Sequence, residues 1–324
     1  MAGRLEVRRW LRLGAPLHAV ALSSDGQFVA VGSERGPLLF NTAGEAIMGR
    51  NSHHIALPVR QVALSPAMDW LYVGTRTGEV LRLALERSEG QFIVRRIETI
   101  YTANNDIYTM VVSENQQWIT VGHLSPALTV LDSEGEVHWR RHPDDGTATE
   151  GNNWSVAVDP AGQSIYVGSA GAGSNRLAAI GLSDQRLLGS RYLASGLRAT
   201  ALATLGGAVV VIQTDSNSFD SELVKFPLDL SKPAWRFVPE DSITAIATAT
   251  GDTADTTTAE LIAVACGYEG RIVLLNAHSG ASMAETTVRV GVNALALAQG
   301  RIVAAVTQDD TLALLQYVPE EFRL

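Results

Sequence analysis

Few residues of this chain stand at spacings that perform chemistry. His53-His54 offers imidazole nitrogens to a metal, but adjacent histidines on an extended chain point in different directions, and no clear third ligand accompanies them. The single cysteine, Cys266, lies within the apolar run Ile262-Ala263-Val264-Ala265-Cys266-Gly267, the setting of a core-filling thiol and not of a nucleophile. One cysteine makes neither an internal disulfide nor a cysteine-based metal cluster. Gly168 to Gly173 holds three glycines but separates two strand-like runs, whereas a phosphate-binding loop opens into a helix. Asn153-Trp154-Ser155 matches a glycosylation sequon, which has meaning only in a secreted chain. Spacing argues for no Ser-His-Asp order, because triad members need only meet in space. One constellation remains. His18, Asp106, Asn153 and Asn293 stand near the starts of small-residue apolar runs, and their carboxylate and amide oxygens would suit a hard cation such as calcium if the runs converge. The alternative is that they cap strand ends and bond loop backbone.

The elements that would position these residues repeat. An apolar run stopped by a small residue recurs as Val29-Ala30-Val31-Gly32, Leu71-Tyr72-Val73-Gly74, Ile119-Thr120-Val121-Gly122 and Ile165-Tyr166-Val167-Gly168. Weaker copies end at Ile212, Gly267 and Val306, so the intervals are 42, 48, 46, 44, 55 and 39 residues. A period of about 46 residues is that of a four-stranded propeller blade, and seven such blades account for the chain. Before each Gly-ended strand lies a run rich in alanine, valine and small polar residues: His18 to Ser23, Arg60 to Ser65, Tyr108 to Ser113, Trp154 to Asp159, Ala199 to Thr204, Thr244 to Ala249 and Asn293 to Ala298. Small side chains suit the innermost strand, where blades crowd the axis. Turns such as Ser24-Asp25-Gly26 follow, and third strands such as Val80 to Leu85 and Arg271 to Asn276 have β composition. No helical period survives over a useful window.

The outer strand carries its own signature: Ile93-Val94-Arg95-Arg96, Val137-His138-Trp139-Arg140-Arg141 and Ala234-Trp235-Arg236-Phe237. It recurs at the start of the chain as Glu6-Val7-Arg8-Arg9-Trp10, while the last repeat stops after its third strand. Residues 4–13 are therefore expected to complete the last blade (291–318), which removes two exposed sheet edges. The expectation is an all-β, single seven-bladed β-propeller domain over 1–324, with four-stranded antiparallel blades. Two stretches break the spacing: the Thr-rich insertion 250–258 reads as a mobile loop, and the link from His142 to Asn153 is the longest between blades.

Composition narrows the function classes. The chain has 324 residues, 46% hydrophobic and 18% charged, enough to bury a large core. Its longest apolar runs are strand-sized, and Met1 to Leu13 carries four arginines without a signal-like apolar stretch. No membrane association and a reducing, cytoplasmic setting are expected. A net charge of −9 argues against a general nucleic-acid surface.

Ala19 to Ser33 resembles the first half of a tryptophan–aspartate (WD) repeat, and Ser155 to Ser169 is similar. The second halves depart from that family. Phe40-Asn41, Leu131-Asp132 and Leu275-Asn276 stand where it has Trp-Asp, and its Gly-His pair is absent. Ala127 to Trp139 and Leu71 to Gly78 instead resemble repeats of pyrroloquinoline-quinone-like propellers, whose quinone enzymes usually add a blade and a paired cysteine. The resemblance implies a rigid interaction scaffold with no cofactor and no catalytic residue, acting on protein partners. Propeller topology puts the inter-blade links and the turns between second and third strands on one face. Arg35, His54, Arg76, Tyr101, Asn104, Trp154, Phe219 and Tyr268 are the candidate binding residues there, aromatic and arginine side chains being those that dominate interfaces. Trp154 either joins that face or packs between blades. The alternative function is a cation-dependent hydrolase or lactonase acting at the channel mouth.

Overall fold

The computed structural model describes residues 3–48, 55–88, 90–123, 128–141, 152–159, 161–170, 175–194, 196–249, 260–298 and 301–319. The described elements are all β-strands, arranged as seven antiparallel sheets. Blade 1 holds β2 (Leu17–Leu22), β3 (Phe28–Ser33) and β4 (Gly36–Asn41). Blade 2 holds β5 (Val59–Leu64), β6 (Trp70–Thr75), β7 (Glu79–Ser88) and β8 (Gln91–Thr102). Blade 3 holds β9 (Ile107–Val112), β10 (Trp118–His123), β11 (Leu128–Asp132) and β12 (Val137–Arg141). Blade 4 holds β13 (Asn152–Val158), β14 (Ser164–Ala170), β15 (Arg176–Gly181) and β16 (Leu187–Tyr192). Blade 5 holds β17 (Leu197–Leu205), β18 (Ala208–Asp215), β19 (Ser221–Pro227) and β20 (Trp235–Phe237). Blade 6 holds β21 (Ile243–Ala249), β22 (Leu261–Cys266), β23 (Arg271–Asn276) and β24 (Ser282–Thr287). Blade 7 holds β25 (Val292–Ala298), β26 (Ile302–Thr307) and β27 (Thr311–Pro319), and its fourth strand is β1 (Gly3–Arg12).

β1 runs antiparallel to β27, from Gly3 opposite Pro319 to Arg12 opposite Thr311, with one irregularity between Val7 and Arg9. Each inner strand neighbours the next around the axis, and β25 returns to β2. Among the described residues the sheet of blade 1 holds three strands; past β4 an isolated antiparallel bridge joins Phe40 to Ala46, Met48 bridges to Phe92 of blade 2, and 49–54 lie outside the described residues. The Thr-rich insertion lies outside the described residues, as do 142–151 of the long link.

The core is distributed and not central. Seven apolar clusters lie one at each blade interface. One joins Leu17, Val29, Val31 and Phe40 of blade 1 to Ala304, Val306, Leu312 and Leu314 of blade 7. Second strands are covered on both faces, which explains why β3 and β22 read as unbroken small and branched apolar residues. The glycine that ends this motif is a packing requirement. A Cβ at Gly32 would stand 2.7 Å from Val59 Cγ1, and one at Gly168 only 2.6 Å from Ala199 Cβ. The next blade's inner strand therefore seats directly on the bare glycine backbone. Side chains also tie neighbouring blades at the axis: Thr204 Oγ1 donates to Val158 O (2.7 Å), Thr248 Oγ1 to Thr204 O (2.8 Å) and Asn293 Nδ2 to Leu17 O (3.0 Å).

Candidate functional site

All seven inner strands carry a β-bulge at one equivalent position. Pairing skips His18, Arg60, Tyr108, Trp154, Thr200, Thr244 and Asn293, one per blade, beside the end of the second strand. In four blades the residue after the bulge faces the motif glycine, as with Ala19 opposite Gly32 and Ser155 opposite Gly168. A bulge inserts one unpaired residue and re-aims its side chain, and such insertions concentrate beside functional sites. Here they put a ring of dissimilar side chains at one mouth of the channel. Six of the seven are described; of Trp154 only the backbone is.

His18, Arg60, Gln61, Tyr108 and Asn293 line a cavity of about 450 Å³ at this mouth. A second cavity of about 320 Å³ runs inward past Tyr108, Ser155, Thr200, Thr244 and Asn293. Glu34, in the β3–β4 turn, draws two donor side chains together: His18 Nε2 donates to Glu34 Oε1 at 2.7 Å and Arg76 Nη1 donates to the same oxygen at 2.8 Å. The bond from His18, opposed by burial and reinforced by the bond from Arg76, holds the Glu34 carboxyl below its ordinary range. Gln61 Nε2 donates to Tyr108 O (3.0 Å), and the Arg60 guanidinium carbon lies 5.7 Å from the Tyr108 ring centroid. Arg60 Nε is shut from solvent without a hydrogen-bond partner, and among the described residues Arg60 forms no ion pair.

Of the cation constellation the structure describes three side chains, that of Asn153 lying outside the described residues. His18 and Asn293 line the mouth, but Asp106 does not, and Asn293 bonds strand backbone as a cap would. The group that does enter, Arg60, carries positive charge and disfavours a hard cation beside it. Among the described residues no three His, Cys, Asp or Glu side chains stand close enough to hold a metal. Cys266 is fully buried, and burial pushes its thiol up to about 11, which leaves it unreactive in the folded chain.

The expected binding residues fall into three places. Arg35 and Arg76 are exposed in the β3–β4 and β6–β7 turns, where Arg76 is held by Glu34. Asn104 is exposed in the link from blade 2 to blade 3, but Tyr101 is half-buried below it. Arg140 Nη2 donates to Tyr101 Oη at 2.9 Å, and His123 Nε2 and Thr129 Oγ1 lie at 3.4 Å. That is a structural role for much of Tyr101. His54 lies outside the described residues.

Across the ring, Phe219 and Tyr268 occupy the second-to-third-strand turns of blades 5 and 6, at 68% and 82% exposure. Val238, in the link between those blades, is 70% exposed. The three loops are contiguous, because Ile243 N donates to Ser221 Oγ and Gly267 N to Ser242 O (2.8 Å). Phe219 has φ +62°, a left-handed conformation that a bulky side chain rarely adopts. Asp215 enforces it by accepting from Asn217 N (2.7 Å) and Ser218 N (3.1 Å), bonds that hold its carboxyl below the ordinary range. Asp220, Glu240, Asp241 and Glu269 stand in the same loops.

Sequence reasoning missed Arg60, Gln61, Glu34, Tyr108 and Val238. No local pattern marks the bulges: Arg60 precedes Gln61-Val62 and Tyr108 precedes Thr109-Met110, as in any mixed strand. No helix among the described residues is long and apolar enough to cross a membrane. Neither a scan of protein-family models nor a search of curated proteins finds a match to this chain.

Proposed function

We propose that this propeller is a non-enzymatic protein-interaction platform, of WD-repeat-like kind, which docks a protein partner on the face formed by the inter-blade links and the turns between second and third strands. The observation that carries this reading is the contiguous trio Phe219, Val238 and Tyr268, exposed together with Phe219 locked in an unfavourable backbone conformation. Phe219 N closes its turn by donating to Asp215 O (3.0 Å), but that bond does not call for a large apolar side chain, and displaying one to water suits a partner surface. Asp215, Asp220, Glu240, Asp241 and Glu269 in the same loops suit a partner segment that combines apolar and basic side chains. A chain net charge of −9 weighs against nucleic acid, and a lone, buried cysteine suits the reducing cytoplasm. The Arg60 guanidinium at the channel mouth weighs against the cation-dependent hydrolase. The test is hydrogen–deuterium exchange on the complex with a partner recovered from native lysate. Slowed exchange in 215–220, 238–242 and 267–270 supports the reading, and slowing confined to the opposite face refutes it.

A further inference from the structure

The channel mouth contains a charge that the fold leaves uncompensated. Three basic side chains gather there, but Glu34 is shared by only two of them, His18 and Arg76. Arg60 is held at a bulge, its Nε closed to water and without a hydrogen-bond partner, its guanidinium near the face of Tyr108. A guanidinium on a cavity wall with no carboxylate beside it is open to an anion that enters the cavity. The cavity it faces, about 450 Å³, offers further hydrogen-bonding groups on Gln61, Asn293 and His18, and no carboxylate is among its lining residues. That volume admits a small molecule or the end of a side chain.

We propose that this mouth is a binding site for an oxyanion, a carboxylate or a phosphate group, received by the fork of Arg60 with Asn293 and Gln61 beside it. A guanidinium presents paired donors that match the two oxygens of either group. The ionised Glu34 matters as much as the arginine. By engaging His18 and Arg76, it fixes the neighbouring turns while leaving Arg60 alone to meet the ligand. The site stands apart from the apolar docking patch on blades 5 and 6, since a free anion would satisfy it without any partner protein.

The experiment is a titration of the purified full chain with succinate and, separately, with inorganic phosphate at low ionic strength. It is followed by calorimetry and by the Arg60 Nε–Hε resonance, assigned through its loss in Arg60→Lys. Saturable binding of either anion that shifts this resonance is expected, with affinity about tenfold or more weaker in Arg60→Gln. Succinate binding alone would identify carboxylate as the ligand chemistry, and phosphate binding alone a phosphate group. No saturable binding of either by the wild-type chain at tens of millimolar, roughly the limit for a single charged contact, would overturn the proposal. So would binding that leaves the Arg60 resonance unmoved or that persists unchanged in Arg60→Gln. The wild-type resonance decides the matter even if Arg60→Gln fails to fold.

Discussion

The two ends of the central channel are built from the same seven strands and look nothing alike. At the lower end, where inner strands turn into second strands, one device repeats in blades 1, 2 and 3, and blade 4 has Asp159 at the same place. Ser23, Ser65 and Ser113 each accept from a backbone N–H, of Phe28 (3.0 Å), Trp70 (2.9 Å) and Trp118 (3.0 Å). Each also donates to the turn: to Asp25 at 2.5 Å, Asp69 at 2.6 Å and Asn115 at 2.7 Å. At the upper end every blade bulges at the same place, yet the bulged side chains are His, Arg, Tyr, Trp, Thr, Thr and Asn. Charge differs too. Arg60 lines the upper cavity, whereas Glu114 and Asp159 line the lower one, of about 370 Å³. Partial burial, and then the Asp159 charge, push the Glu114 carboxyl up. Within one chain, a position that keeps its chemistry from blade to blade is doing the same structural task each time. A position that keeps its backbone geometry but changes its side chain is free to serve recognition.

Substitutions sharpen this contrast. The largest effect is expected where the upper end is structural, at the glycine opposite the bulge. Gly168→Ala would drive a methyl group into Ala199 Cβ, and denaturant unfolding should show a loss of about 3 kcal/mol. An unchanged midpoint would mean that the glycine does not set the blade spacing.

His123, 3% exposed at the end of β10, gives a pH signature. Burial, and then the Arg140 charge, lower it from 6.5 to about 4, so the folded chain keeps this ring neutral. Below pH 6.5 the unfolded chain takes up a proton that the folded chain refuses until about pH 4. Stability is therefore complete above that range and falls within it, by about 2 kcal/mol at pH 4.5. His123→Gln should remove this component of the pH profile, and a variant with the wild-type slope would assign the loss elsewhere.

A smaller cost is expected at the repeated lower turns. Ser65→Ala strips the acceptor from Asp69 N and Trp70 N, at about 1.5 kcal/mol. At the upper mouth Thr244→Ala, an exposed bulge residue, should change stability by about 0.5 kcal/mol or less. Thermal unfolding of this pair checks the contrast directly: equal costs would erase the distinction between the two ends.

Much of the architecture was legible because blade packing imposes composition. The glycines at 32, 74 and 168 mark where the next inner strand seats, and small residues in runs such as Ala199 to Thr204 mark the crowded axis. The outer part of blade 1 was less legible, since among the described residues it is read only from the bridges at Ala46 and Met48. The upper site was read in part. Phe219 and Tyr268 follow from residue type and topology, whereas Arg60 and Tyr108 read as ordinary strand beginnings. A bulge adds one residue to a strand without altering its composition, so alternation does not reveal it. Glu34 gains its role only through contacts to His18 and Arg76 from other turns, which no local pattern encodes.

The central claim is that the varied face recognises and the uniform face supports. The opposite face offers a fair rival in Leu187 and Leu188, 42% and 54% exposed at the lower start of β16. The decisive measurement is the affinity of a purified partner for two double variants, Phe219→Ala with Tyr268→Ala, and Leu187→Ala with Leu188→Ala. The upper pair should weaken binding about thirtyfold or more, the loss of at least one hot spot near 2 kcal/mol, while the lower pair leaves it unchanged. Wild-type affinity in the upper pair, with the loss in the lower pair, would contradict the account.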